Sequence, residues 1–140
     1  MKIFFRLFVT ISLLFSLSSA IDFADIKKID LKKDEQTKIL VKYKNYEKLF
    51  KFRWTLYKNE GLVMFYSYGK RVMQNILYLN GTNQSFKVYL KTKGADFYEV
   101  PYFLLKFKEF DAKKHKAKFE LFLFDKKSQM KIKYLTKNIK

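Results

Sequence analysis

The sequence predicts an all-β domain, an antiparallel β-sandwich of immunoglobulin-like character with about nine short strands. Three observations lead there. Apolar residues recur at every second position through most of the chain, turn-forming residues separate those runs, and no confident helical period of 3.6 appears. An up-and-down barrel of the lipocalin type is the alternative, because consecutive hairpins serve it as well.

Residues 1–20 stand apart as a cleavable signal peptide. Lys2 and Arg6 supply the positive start, Leu7 to Leu17 the apolar stretch, and Ser18-Ser19-Ala20 the small side chains before a cut between Ala20 and Ile21. The apolar stretch is half the ~20 residues that a membrane-spanning helix needs. Ile21 in place of a cysteine closes the route to lipid attachment, and no later stretch is apolar enough to span a bilayer. The expected product is a single domain of residues 21–140, released in soluble form to a periplasm or the extracellular space.

Within that domain, a first strand is expected near Ile26–Leu31, ended by the polar Lys32–Gln36 turn. Ile39, Val41 and Tyr43 alternate with Lys38, Leu40, Lys42 and Lys44. Phe50, Phe52, Trp54 and Leu56 alternate with Lys51, Arg53, Thr55 and Tyr57, which places Leu56 inward and Tyr57 outward. Asn59-Glu60-Gly61 turns the chain into Leu62–Tyr68, and Gly69-Lys70-Arg71 turns it into Val72–Leu79. Asn80-Gly81 is the strongest hairpin signal, since both residues tolerate the positive φ of a type I′ turn. Phe86, Val88 and Leu90 form the next strand, which ends at Lys93-Gly94-Ala95-Asp96. Pro101 cannot donate to a ladder, so the Phe97–Phe110 segment begins at an edge or bulges there. Asp111–Lys116 and Asp125–Ser128 are read as the turns of the last two hairpins, with Met130, Ile132 and Tyr134 on the final strand.

Charge and composition narrow the class of partner. The chain carries 30 basic and 13 acidic residues, a net charge of +17, of which Lys2 and Arg6 account for two and leave +15 after cleavage. Such a charge attracts polyanions at low salt. Nucleic acid is not the expected one: only Arg6, Arg53 and Arg71 are arginine, and the lysines are dispersed along strands. Anionic lipid head groups, lipopolysaccharide phosphates or an acidic protein of the cell envelope fit an exported chain better, and codon bias with no target at all accounts for the charge more readily still. The absence of cysteine and the richness in Lys, Phe, Tyr, Ile and Asn lean towards an A/T-rich bacterium. The back-to-back sequons at Asn80 and Asn83 are then an accident of a polar turn.

Catalytic chemistry finds little foothold. His115 is the single histidine, set among Lys113, Lys114 and Lys116 without a partner to orient it. Without cysteine, the familiar zinc sets and nucleophile triads cannot be assembled, and no glycine-rich phosphate loop exists. Glu109 with Asp111, and Asp22 with Asp25, are paired carboxylates, but neighbouring lysines would keep them ionised, the wrong tuning for a general acid. No enzyme activity, cofactor or metal is expected.

The aromatic content is the anomaly, with 16 Phe, 10 Tyr and one Trp. Leu62, Met64, Tyr66 and Tyr68 oppose Val63 and Phe65, while Phe119, Leu121 and Leu123 oppose Phe122 and Phe124, so these strands are apolar on both faces. Such faces are covered, form a contact surface, or line a ligand cavity. The expectation is an exported, non-enzymatic binding protein with a lysine- and tyrosine-rich surface, its candidate contact residues being Tyr57, Tyr66, Tyr68, Arg71, Phe122 and Phe124. A small barrel carrying an apolar anion such as a fatty acid is the alternative.

Overall fold

A computed structural model describes Phe23, residues 25–91 and residues 99–140. The signal peptide with its Ala20–Ile21 junction, Asp22 and the Gly94 turn lie outside the described residues. Nine strands form among the described residues: β1 (Asp25–Lys32), β2 (Thr37–Tyr43), β3 (Tyr46–Lys58), β4 (Gly61–Tyr68), β5 (Arg71–Tyr78), β6 (Ser85–Tyr89), β7 (Tyr102–Asp111), β8 (Lys116–Phe124) and β9 (Lys131–Tyr134). They assemble into a four-stranded sheet, β1-β8-β7-β6, and a five-stranded sheet, β5-β4-β3-β2-β9, every pairing antiparallel. The two sheets make a sandwich and are not closed into a barrel.

Alternation produces this arrangement directly. Ile39 and Val41 on β2, Phe50, Phe52 and Trp54 on β3, and Leu62 and Met64 on β4 are buried, facing Phe103, Leu105 and Phe107 on β7 and Phe119 and Leu121 on β8. Phe50 stacks on Phe103 across the two sheets with ring centroids 5.3 Å apart, and Phe52 meets Phe119 edge-on at 6.2 Å. Each such side chain contributes ~1.5–3 kcal/mol by leaving water. Trp54 donates its indole N–H to the Leu31 carbonyl at 3.0 Å, so the one polar atom of the largest core residue is satisfied.

The connections depart from expectation in two places. Asn80-Gly81 does not close a hairpin: β5 and β6 lie in different sheets, and the segment between them crosses from one to the other. Tyr78 N–H donates to the Asn83 carbonyl, and Gln84 exchanges bonds with the Phe107 backbone, which draws the chain onto β7 instead. Asp125–Ser128 likewise carries the chain between sheets, and the Asp125 carboxylate there accepts from Met130 N–H at 2.8 Å. The strands within each sheet therefore run as meanders, with β1 and β9 added, rather than through the Greek-key connections of an immunoglobulin domain.

Two bulges shift the alternation. On β3 the register slips between Trp54 and Leu56, so Leu56 turns outward and Tyr57 inward, reversing the predicted sides. On β7 the slip falls between Phe107 and Glu109. Pro101 sits just before β7, where its missing N–H costs no ladder bond.

The edges of the sandwich differ. After β9 the chain crosses to β1, where Lys28 and Lys140 exchange backbone bonds and Asp30 N–H donates to the Asn138 carbonyl. That side is tied shut. The opposite side ends in β5 on one sheet and β6 on the other.

A cationic and apolar outer face as the candidate functional site

The five-stranded sheet turns one face to the core and the other outward. Its register is set locally by two-residue turns, Lys44-Asn45 between β2 and β3, Asn59-Glu60 between β3 and β4, and Gly69-Lys70 between β4 and β5. Lys44, Asn59, Glu60 and Gly69 take the positive φ that such tight turns require. The first turn places Lys38 directly opposite Lys51. Arg53 follows two residues along the same face of β3, opposite Phe65 of β4, while Lys51 also faces Ser67.

None of the ion pairs among the described residues includes Lys38, Lys51 or Arg53. Like charges directly opposite on a sheet repel, with Cβ atoms about 5 Å apart. Lys131 and Lys133 of β9 extend the row beside Lys42 and Leu40, and only Lys42 is compensated, by Glu47. A shallow depression of about 280 Å³ lies at the centre, lined by Gln36, Lys51, Arg53, Phe65, Tyr66, Ser67 and Val72.

The other half of the same face is apolar. Leu56, Val72, Ile76 and Tyr78 are 50%, 68%, 40% and 38% exposed, and Val63 and Phe65 lie between them, half-buried. Tyr78 lies flat beside Gly61, where an added Cβ would stand 3.0 Å from the ring. Cations on β2, β3 and β9 thus adjoin apolar side chains on β3, β4 and β5.

Comparison with known protein families, characterised proteins and solved structures finds no match. The assignment of this face therefore rests on its geometry and charge.

The six residues expected at a contact surface do not gather at one place. Tyr57 packs inward, its ring stacked on Phe110 with centroids 3.9 Å apart. Tyr66 stacks on Phe86 at 4.4 Å, and burial raises its hydroxyl pKa. Tyr68 packs against the core with a buried hydroxyl that has no hydrogen-bond partner among the described residues, and burial pushes it up to about 12. For these three the outward placement is corrected: they share the face of β3 or β4 that carries Phe52 and Met64. Arg71 is exposed at the start of β5. Phe122 and Phe124 do point away from the core, on the outer face of the four-stranded sheet. Phe124 is nonetheless only 6% exposed, since Tyr102 stacks on it at 4.8 Å and Lys126 lies over its ring. Phe122 is half-buried beside Phe23.

Lys38, Lys51 and Arg53 were not among the expected contact residues. The signal that finds them is the Lys44-Asn45 turn, from which the register of β2 on β3 can be counted.

Of the carboxylates considered for hydrolysis, Glu109 and Asp111 are engaged in ordinary surface bonds. Glu109 accepts from Lys118 Nζ through both oxygens at 3.0 Å, raising the lysine's pKa, and Asp111 accepts from Lys114 N–H. His115 is exposed in a turn with positive φ. No group of three or more metal-ligating side chains occurs among the described residues. The space where a barrel would carry a fatty acid is filled by Phe50, Phe52, Phe103, Phe107 and Phe119. The Asn80 and Asn83 sequons are exposed in the crossing between β5 and β6. No helix among the described residues is long and apolar enough to cross a membrane.

Proposed function

We propose that this protein is an exported, non-enzymatic binding protein that docks the outer face of its five-stranded sheet on a phosphate-bearing lipid surface of the cell envelope. The observation that carries the reading is the direct opposition of Lys38 and Lys51, with Arg53 beside them and none of the three in an ion pair among the described residues. An anion placed over this row relieves a repulsion that the fold itself creates. The adjoining Leu56, Val72, Ile76 and Tyr78 offer apolar and amphipathic contact at head-group depth. Each lysine or arginine near an anionic membrane is worth ~1 kcal/mol, so the group formed by Lys38, Lys51, Arg53, Lys131 and Lys133 is sufficient for reversible attachment.

The test is co-sedimentation with phosphatidylcholine vesicles that contain or lack phosphatidylglycerol. Binding is expected only to the anionic vesicles. The double variant Lys51→Glu/Arg53→Glu should bind at least ~10-fold more weakly. A control, Lys87→Glu/Lys106→Glu, makes the same change of net charge on the four-stranded sheet and should lose far less. Equal losses from both would reduce the effect to net charge and end the proposal.

A further inference from the structure

We propose that β5 is a self-pairing edge, joining two copies of the chain through an antiparallel β5–β5 contact centred on Gln74. The side of the sandwich bearing β1 and β9 is tied by residues 138–140, whereas β5 ends its sheet. Edge strands are ordinarily protected by charge, proline or a bulge. β9 carries Lys131 and Lys133, and β6 carries Lys87. In β5, the sequence RVMQNILY holds one charge, Arg71 at its first position, with no proline and an unbroken register against β4.

The backbone determines which groups are free. Gly69-Lys70 forms a two-residue turn between Tyr68 and Arg71, so Arg71 and every second residue after it bond to β4. Tyr78 N–H points the other way, to the Asn83 carbonyl, as this alternation requires. Val72, Gln74 and Ile76 therefore direct their N–H and C=O groups off the edge, and no backbone bond among the described residues takes them up.

These three residues are self-complementary. A two-fold axis through Gln74 pairs Val72 with Ile76 of the second copy, Ile76 with its Val72, and Gln74 with Gln74. Each donates one ladder bond and accepts one. The apolar Val72 and Ile76, 68% and 40% exposed, become cross-strand neighbours. The two Arg71 side chains lie at opposite ends of the contact, and Lys70 falls opposite the aromatic ring of the second copy's Tyr78. A one-residue shift would set outward-pointing groups against inward-pointing ones, so only registers of this parity form bonds. The same parity puts both outer sheet faces on one side. A second copy is thus a better occupant than an arbitrary strand, because charge, bonding groups and apolar pairs all match under the two-fold.

A contact through a single pair of short strands is expected to fall below the ~1,200 Å² of stable interfaces, giving a reversible association that depends on concentration. Sedimentation velocity and light scattering without vesicles test it separately from membrane docking, so failure of either reading leaves the other measurable. A monomer–dimer equilibrium should appear on raising the concentration towards ~1 mM, with slowed amide exchange at Val72, Gln74 and Ile76. Gln74→Lys, which sets like charges on the axis, and Val72→Lys should each weaken association at least ~10-fold. Both positions are exposed, and an unchanged thermal midpoint would verify folding. A protein monomeric throughout, a dimer indifferent to both variants, or β5 protection that appears only with vesicles or another polypeptide would each overturn the self-pairing.

Discussion

The Tyr134 hydroxyl donates to Asp25 Oδ2 at 2.5 Å, joining two residues 109 positions apart that lie on different sheets. This bond and the backbone pairing of residues 138–140 to β1 together fasten the side of the sandwich where β9 and β1 meet. Tyr134→Phe removes a donor to a charged acceptor and should cost ~1–3 kcal/mol in denaturant unfolding. Faster amide exchange at Lys28 and Lys140 should accompany it, with little change in the β7–β8 hairpin.

Tyrosine ionisation gives the fold an alkaline limit. Burial raises Tyr68 to about 12, and burial with the Asp25 hydrogen bond raises Tyr134 further. Both folded pKa values exceed the unfolded value near 10, so the unfolded chain loses these protons first. The associated stability is complete below pH ~10 and falls as pH rises towards the folded values. Urea midpoints measured from pH 8 to pH 12 should be flat and then decline, and Tyr68→Phe should make the decline shallower. At neutral pH the same substitution removes a buried hydroxyl without a partner among the described residues, and should leave stability unchanged or raise it by ~1 kcal/mol.

The β3 bulge reverses the usual cost of two neighbouring substitutions. Tyr57→Ala removes the ring stacked on Phe110 and should destabilise by ~2–4 kcal/mol. Leu56→Ser lies on the outer face and should cost less than ~1 kcal/mol. Thermal denaturation of the two variants distinguishes the bulged strand from a regular one, which predicts the opposite order.

Lys38 links stability to binding with opposite signs. Lys38→Ala relieves the repulsion from Lys51 and should stabilise the free protein by ~0.2–1 kcal/mol. It should also weaken attachment to phosphatidylglycerol vesicles. A variant that melts higher and binds less is the expected outcome of calorimetry paired with co-sedimentation.

Processing is checked by terminal sequencing. Expression of residues 1–140 in a secreting bacterial host should yield a product beginning at Ile21. Ala20→Phe, which removes the small residue before the junction, should retain the leader.

Much of the fold is legible because period-two patterning reports burial directly. Ile39, Val41, Phe50, Phe52 and Trp54 occupy the core as their spacing demands. Legibility ends where a single inserted residue changes parity: nothing in Trp54-Thr55-Leu56-Tyr57 marks a bulge, so the sides of Leu56 and Tyr57 are misread. Asn80-Gly81 has hairpin chemistry, yet the bonds from Tyr78 and Gln84 carry the chain across to the other sheet, a tertiary choice invisible to local composition. Tyr66 and Tyr68 are misplaced because β4 is apolar on both faces and alternation cannot rank them. The cationic row is readable in part. Lys38, Lys51 and Arg53 are evident as charges, but their opposition depends on a register fixed by Lys44-Asn45.

The pairing of Lys38 with Lys51 leaves the unoccupied sheet locally frustrated, since the backbone register that satisfies the core sets two cations against each other. Folding and recognition would then be thermodynamically linked: a polyanion that settles on this row more tightly than on the unfolded chain would raise the melting temperature. Salt should act in two opposed directions, steadying the unliganded protein by screening the pair while loosening its hold on an anionic surface. In a low-salt envelope the same conflict would keep the sheet poised towards occupancy.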